Sequence, residues 1–532
     1  MPDSPCHILR VLNADILCEI IELLREVKLL TPFSETCKML RRASKPHLFR
    51  NACISASHDL LSGKLFSFAT DIWLYVRHLT VRGFWVRIWY GDPLDLGDLP
   101  LADFLARMPS LQAITVDDAD SMGGPGIPWD GITALLSPPQ LREFNLRITL
   151  NRETPIPRDA NFAIAPLTRL CFSIWDYRDH PRAQIGETSL MQYVVSVVAP
   201  SLEHLSIPLD VAPIAEMAAL SWPRLRTLEL KGDLDIEPFQ AIIDVLSRMP
   251  QLRHLTILRA QRRGSPRPVL WSSACTKAFP CPQLETLCLS HLDPQTELYS
   301  HLPSTLRQLS LRCWPRHYLH QHVHDRKAMT RLEWQSQICT ASEVHLALRR
   351  CSLHALESLE VEYEEDDHEG LLLCSISELF PHLNTLTIYR YRRPVSPSIK
   401  AVAITHALSR LRALRVLRIH ADLAEAPHPL ADFMLGSPPY IFPTYEETLN
   451  EFAGVLAKGL GLELRFVCLL LRERWTNLWL PFRIIRDSGG SVSEIRREMD
   501  LDAVGGYTLF DDASPNTEEQ VPLPGELDLF EF

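Results

Sequence analysis

"MPQLRHLTILRA" runs from Met249 to Ala260, and near-copies of it recur along the chain. "MPSLQAITVDDA" stands at 108–119, "CPQLETLCLSHL" at 281–292 and "FPHLNTLTIYRY" at 380–391. Aligned on the first leucine, the phrase is L-x-x-L-x-h, with h a large apolar residue. It is carried by Val76-Leu79-Val81, Leu111-Ile114-Val116, Leu141-Phe144-Leu146, Leu167-Leu170-Phe172, Leu202-Leu205-Ile207 and Leu225-Leu228-Leu230. Leu252-Leu255-Ile257, Leu284-Leu287-Leu289, Leu306-Leu309-Leu311, the weaker Met329-Leu332-Trp334, Leu356-Leu359-Val361, Leu383-Leu386-Ile388 and Leu414-Leu417-Ile419 complete thirteen copies. From Val76 to Leu414 is 338 residues over twelve steps, a mean period of about 28. A fixed period of roughly 20–50 residues marks a stacked repeat architecture.

Positions 4 and 6 of the phrase are two apart, so on a strand they share one face. One short strand cannot bury that face alone and must stack beside the next copy. Proline stands two residues before the first leucine in many copies, as Pro109, Pro139, Pro200, Pro223, Pro250, Pro282 and Pro381. It lacks an N–H and disfavours helix just before it, which suits an exit from helix into strand. The spacers read as helices. "PFQAIIDVLSRM" (238–249) sets Phe239, Ile242, Ile243 and Leu246 on one helical face, and "ITHALSRLRAL" (404–414) does the same with Ile404, Leu408 and Leu411. The expected fold class is therefore α/β, a parallel sheet with outer helices.

Strand, loop, helix and proline in this order resemble the unit of the leucine-rich-repeat superfamily, over roughly 70–425. The resemblance implies a curved parallel sheet. Position 9, often Asn or Cys in that superfamily, here holds Asp210, Asp233, Ala260, Trp314 and Tyr391, and repeat lengths run from 22 to 35. An irregular arc is expected. An unrelated α/β domain with leucine-rich strands is the competing reading, and the number of copies counts against it.

Composition narrows the function. The chain has 532 residues, 46% hydrophobic and 22% charged, as folded proteins do. No apolar run reaches the roughly 18 residues of a membrane span, and the start "MPDSPCHILR" lacks a secretory pattern. The thirteen cysteines form no CxxC pair, so reduced thiols and a cytoplasmic or nuclear location are expected. A net charge of -11 argues against a nucleic-acid partner. The chain has neither a GxGxxG nor a GxxxxGK[ST] phosphate loop, and neither GxSxG nor HExxH. Neither an enzyme nor a cofactor is expected.

Residues 8–50 read "ILRVLNADILCEIIELLREVKLLTPFSETCKMLRRASKPHLFR". Asn13 is placed to cap a helix with Ile16, Leu17, Ile20, Ile21 and Leu24 on its apolar side. A second helix is expected around Phe33–Leu40 after Thr31-Pro32, and a third element up to Leu48-Phe49. Leu12, Ile16-Leu17, Ile20 and Leu24, then Thr36-Cys37-Lys38 and Leu48-Phe49-Arg50, resemble the F-box motif. The family's proline after the first leucine is Asn13 here, and its tryptophan is Leu40. The whole layout is similar to F-box proteins of the kind abundant in mushroom-forming fungi.

That resemblance implies a substrate receptor of an SCF-type E3 ubiquitin ligase. The F-box would dock on a Skp-family adaptor, which connects to cullin and RING subunits. Carried over by motif, the adaptor-facing residues are Leu12, Ile16, Leu17, Ile20, Leu24, Cys37 and Leu48, some of which must instead hold the helices together. The partner on the repeat domain would be a protein substrate of unknown identity. Phrase positions 3, 5 and 7 point away from the core, toward the concave face. In the later copies these positions and those just beyond include Arg312, Trp314, Glu360, Glu362, Tyr389, Tyr391 and Arg418, side chains of the kind found at interaction hot spots. The alternative is a leucine-rich-repeat scaffold with no ubiquitin role, whose residues 8–50 only cap the array.

The expected organisation is a helical domain at 8–50, a repeat array at 51–425, a terminal repeat or cap with a loop insertion at 426–498, and an acidic, disordered tail at 499–532. That tail holds nine acidic residues and neither Lys nor Arg. Two further stretches are read as polar, solvated loops. "HYLHQHVHDR" (317–326) has no metal-ligand spacing. "EYEEDDHEG" (362–370) lacks the alternation of a calcium loop. "QRRGSPRP" (261–268) and "YRYRRP" (389–394) are basic runs of a kind that meets phosphate or an acidic partner, but they are short and the chain is acidic overall.

Overall fold

The computed structural model describes residues 13–26, 29–55, 71–82, 101–117, 129–147, 163–173, 184–233, 240–267, 269–271, 278–290, 293–318, 329–335, 337–393, 396–426, 443–472 and 477–498. The chain is mixed α/β, and its described residues fall into two compact units that divide between Leu202 and Glu203.

The first unit opens with helices α1 (Ala14–Glu26), α2 (Leu30–Glu35) and α3 (Lys38–Leu48). Asn13 caps α1, its Oδ1 accepting the Asp15 N–H at 3.2 Å. The helix expected over Phe33–Leu40 is divided. Cys37 is extended there, and its Sγ accepts the Leu40 N–H at the start of α3. Two residues after α3 comes β1 (Asn51–Ser55), then a short 3-10 turn at Trp73–Tyr75, β2 (His78–Arg82), α4 (Leu101–Leu105) and β3 (Ala113–Asp117). Helix α5 (Trp129–Leu136), β4 (Glu143–Arg147), β5 (Arg169–Phe172) and α6 (Gln184–Val198) complete the unit. Strands β1 to β5 pair in parallel, each with the next. Position 4 aligns across them as Leu79, Ile114, Phe144 and Leu170, and position 6 as Val81, Val116, Leu146 and Phe172, all buried. Helix α6 buries Leu190, Met191, Val194, Val195 and Val198, one stripe of a 3.6-residue period.

The second unit holds β6 (His204–Pro208), α7 (Ile214–Ala219), β7 (Thr227–Gly232), α8 (Gln240–Leu246), β8 (His254–Arg259), β9 (Thr286–Ser290), α9 (Leu298–His301) and β10 (Gln308–Arg312). It continues with β11 (Cys339–Thr340), α10 (Ala341–Arg349), β12 (Ser358–Glu364), α11 (Glu369–Leu379), β13 (Thr385–Tyr391), α12 (Ala401–Leu408) and β14 (Val416–His420). It ends with α13 (Pro443–Gly459), β15 (Phe466–Arg472), β16 (Asn477–Arg486) and β17 (Val492–Arg497). Pairing is parallel from β6 to β10, from β10 directly to β12, and on to β15. Strands β16 and β17 are added antiparallel. Leu205, Leu228, Leu255, Leu287, Leu309, Leu359, Leu386, Leu417 and Val467 form one continuous buried row.

A backbone device repeats along the strands within each unit. The carbonyl of phrase position 2 accepts the N–H groups of positions 2 and 3 on the next strand. The Arg77 carbonyl takes Gln112 N at 2.7 Å and Ala113 N at 2.9 Å, and the Arg307 carbonyl takes Glu357 N at 2.8 Å and Ser358 N at 3.0 Å. Both lone pairs of the oxygen are thereby used. The second example passes from the copy at 306 to the copy at 356 and bypasses the one at 329.

Twelve of the thirteen phrases are therefore strands, and Met329-Leu332-Trp334 is not. Glu333 turns at φ 57°, which no strand adopts, and Trp334 makes an isolated antiparallel bridge with Arg262. Two further strands repeat the buried positions 4 and 6 of the phrase. In β1, Ala52 and Ile54 take positions 4 and 6. In β15, within the stretch expected to be a last repeat or cap, Val467 and Leu469 do so. Within 426–498, where a loop insertion is expected, α13 begins at Pro443, while 427–442 and the tail 499–532 lie outside the described residues. Among the described residues no helix is long and apolar enough to cross a membrane. The eleven cysteines described are all free thiols.

Candidate functional site

The two sets of residues singled out from the sequence lie in different units. In the first unit, α1 carries two apolar stripes at i, i+4, i+7. Leu17, Ile21 and Leu24 face inward, with Ile21 only 1% exposed. Ile16 and Leu23 face outward, at 48% and 62% exposed, and Ile20 between them is half-buried. Cys37 and Leu48 are half-buried, and Leu12 lies outside the described residues. Exposed Leu29, just before α2, joins the outward set. The expected list omits Leu23 and Leu29, although Leu23 was detectable from its i+7 spacing to Ile16. Helices α1 and α3 are tied by Glu22, whose carboxylate meets Arg25 at 2.8 Å and His47 Nδ1 at 3.1 Å. Lys45 pairs with Asp71 at 2.5 Å, and its hydrogen bond holds the Asp71 carboxyl below its usual pKa.

The second set, on β10, β12, β13 and β14, is expected to be exposed, and burial corrects this. Arg312, Glu362, Tyr389 and Tyr391 are buried, and Trp314, Glu360 and Arg418 are half-buried. Residues 313–318, directly after β10, fold over this face. Cys313 N and His317 N donate to the two oxygens of Glu362 at 2.8 and 3.0 Å. Arg316, absent from the expected set, donates to Glu362 at 3.2 Å and to Glu360 at 2.5 Å. Its guanidinium sits 4.1 Å above the Tyr389 ring. Tyr391 donates its hydroxyl to Glu362 at 2.9 Å, and Ser310 its hydroxyl to Glu360 at 2.6 Å.

Aromatic packing closes the face. Tyr318, Met329, Tyr389, Tyr391, Val416, Phe466, Cys468, Leu470 and Trp479 form one core, with Trp334 and Ile338 packed against it. Arg418 lies 4.8 Å over Trp479, and Trp314 is 5.5 Å from Trp334. Trp334 in turn donates its indole N–H to Asp233 at 3.0 Å. The segment between β10 and β12 thus builds a second core on what would otherwise be an open strand surface.

The acidic run read as a solvated loop is partly buried, and so is the basic run at 389–394. Glu362 and Glu365 of the acidic run are 3% and 8% exposed. Arg390 of the basic run is buried against Glu365 and Glu369, and Tyr363 donates its hydroxyl to Glu369 at 3.1 Å. A charge buried this far needs partners, which these residues supply to one another. Burial raises the Glu360 carboxyl, but Arg316 and Arg312 outweigh it, with hydrogen bonds from Ser310 and Arg316, and hold it at about 2. Of the histidine-rich stretch, 319–326 lies outside the described residues. Among the described residues no group of three His, Cys, Asp or Glu is placed to hold a metal ion.

What stays open on this side of the sheet is the row at position 3. His254 and Gln308 are exposed, linked through Thr286 by contacts of 3.1 and 3.4 Å.

No model of a known protein family matches this chain. No curated protein matches it in sequence.

Proposed function

We propose that the chain is the substrate-recognition subunit of an SCF-type E3 ubiquitin ligase. Helices α1–α3 dock on a Skp-family adaptor, and through it on cullin and RING subunits. The strand array, an irregular leucine-rich-repeat domain in this reading, holds a protein substrate. The receptor breaks no bond itself; it raises the concentration of substrate near the ligase.

The observation that carries the reading is the outward stripe of α1. Ile16 and Leu23, with Leu29 nearby, leave large apolar side chains in water on three short helices that directly precede the repeat strands. Exposed apolar groups gathered on one face mark a protein interface. The substrate surface in this reading is the open row around His254, Thr286 and Gln308, not the buried cluster about Glu362.

The test is co-purification of the full chain with a Skp-family adaptor, beside Ile16→Asp plus Leu23→Asp, both on the outward stripe. Capture by the parent and loss in the variant, with unchanged cooperative melting, is the expected result. If the parent captures no adaptor, the helices only cap the array and the ligase reading falls.

A further inference from the structure

Among the described residues, the starts of β1 to β5 carry a row of arginines with a single carboxylate, Glu143, beside them. Arg50, Arg77, Arg142 and Arg169 stand at position 2 or 3 of the first, second, fourth and fifth strands. The carbonyl ladder fixes their spacing. Arg50 O accepts Arg77 N at 2.8 Å, Arg77 O accepts Gln112 N at 2.7 Å, and Arg142 O accepts Thr168 N at 2.7 Å. Four steps of about 4.8 Å make a strip about 19 Å long.

Arg77, Gln112, Arg142 and Arg169 are exposed. Among the described residues neither Arg50, Arg77 nor Arg169 has an ion-pair partner, and Arg142 donates to the Pro139 and Leu141 carbonyls. The one carboxylate in the row is Glu143. The positive field is felt by His78: burial first, then Arg50, Arg77 and Arg25, press its imidazole below the usual pKa against the pull of Glu143. In a chain of net charge -11 this local excess is out of character. An apolar shoulder of Leu74, Pro109 and Pro139, all exposed, runs beside the arginines at the preceding turns.

We propose that this edge of the first unit docks an acidic segment of a partner protein, one whose carboxylates are interspersed with apolar side chains. The guanidinium forks match carboxylates in geometry and charge. The leucine and proline shoulder takes the apolar residues between them. About six residues of extended chain, at roughly 3.3 Å each, cover the strip. Nucleic acid fits less well, because the chain as a whole, at net charge -11, repels polyanions. The proposal stands independently of the ligase reading, since it uses no residue of the α1 stripe.

The experiment is fluorescence anisotropy of the full chain with a labelled ten-residue peptide alternating Asp or Glu with Leu or Phe. Binding should weaken at least tenfold between 50 and about 300 mM salt as the Debye length shrinks. Arg77→Glu plus Arg169→Glu should weaken it at least tenfold with unchanged melting. Arg226→Glu, an exposed arginine of the second unit, should leave it unchanged. A peptide with the apolar positions changed to Ser should bind more weakly. The proposal is overturned if the acidic peptide does not bind at low salt, or if Arg226→Glu weakens it as much. It is also overturned if a single-stranded RNA of equal charge binds more tightly. Binding that requires removal of residues 499–532 would place the chain's own acidic end there instead of a partner.

Discussion

The Arg316 guanidinium bridges two carboxylates of one strand, with Nη1 3.2 Å from Glu362 Oε2 and Nη2 2.5 Å from Glu360 Oε1. The side chain comes from the segment after β10, so this pair of contacts fastens that segment to β12. Removing one partner of a buried ion pair leaves an uncompensated charge, at a cost of about 3–5 kcal/mol. Arg316→Met should therefore lower the urea midpoint of the second unit by a corresponding amount. Adding Glu360→Gln and Glu362→Gln to it should restore part of the loss, because the stranded charges are then gone. A variant that unfolds like the parent would show that Arg316 is not what fastens the segment.

Glu360 gives the same contact a pH signature. Its carboxyl is held at about 2 in the folded chain, against an ordinary value of 4.5. The folded state thus favours the charged form, and the unfolded chain binds the proton first as pH falls. The contribution is fully present above about pH 4.5 and is lost progressively toward pH 2, on the order of 3 kcal/mol in all. Melting followed from pH 6 to pH 2.5 should show a steeper acid loss for the parent than for Glu360→Gln. Parallel curves would contradict the assignment.

The thiols offer a chemical check on burial. Desolvation pushes Cys281, Cys339 and Cys351 up to about 12 and Cys468 up to about 11. The thiolate is the reactive form, so these four should resist iodoacetamide at pH 8 in the folded chain. Exposed Cys18 should alkylate first. Mass spectrometry of the peptides, before and after denaturation in urea, reads the order directly. Early labelling of Cys281 or Cys468 would mean that the core around it opens.

The strand array was legible because its signal is periodic: a leucine at position 4 must meet its neighbour's leucine, and Leu359 meets Leu386 as Leu386 meets Leu417. Strand β1 was not, since Ala52 stands where a leucine is expected. The copy at 329 misled because apolar spacing alone does not fix the backbone, which turns at Glu333. The buried face failed for a different reason. Glu362 and Arg390 look like surface residues one at a time, and their partners are distant: Arg316 lies 46 residues before Glu362. No local pattern announces a contact of that range. On α1, the sequence held both stripes, but only packing tells Ile21, inside, from Ile16, outside.

The distinction between true and false copies has a thermodynamic consequence. Leu386 is fully buried in the strand row, whereas Leu332 is half-buried in a turn. Leu386→Ala should cost about 2–5 kcal/mol, the range for a large core side chain. Leu332→Ala should cost less, about 1.5 kcal/mol or below, because part of its surface is already in water and it does not join the strand row. Chemical denaturation of both variants decides it, and equal losses would restore the copy at 329 to the array.

The α1 stripes separate folding from docking. Ile21 is 1% exposed and Ile16 48% exposed, five residues apart on one helix. Ile21→Asp places a charge in the packed interior of the three helices and should unfold them, since an unpaired buried carboxylate has no compensation. Ile16→Asp adds a charge to the surface and should leave the melting temperature within about 1 °C, a surface substitution shifting stability by less than about 0.5 kcal/mol. Adaptor capture should nevertheless fail for both. The informative variant is Ile16→Asp: lost capture with an intact melt assigns the outward stripe to the interface. Retained capture would move the interface to another face of the helices, with Leu29→Asp the next variant to compare.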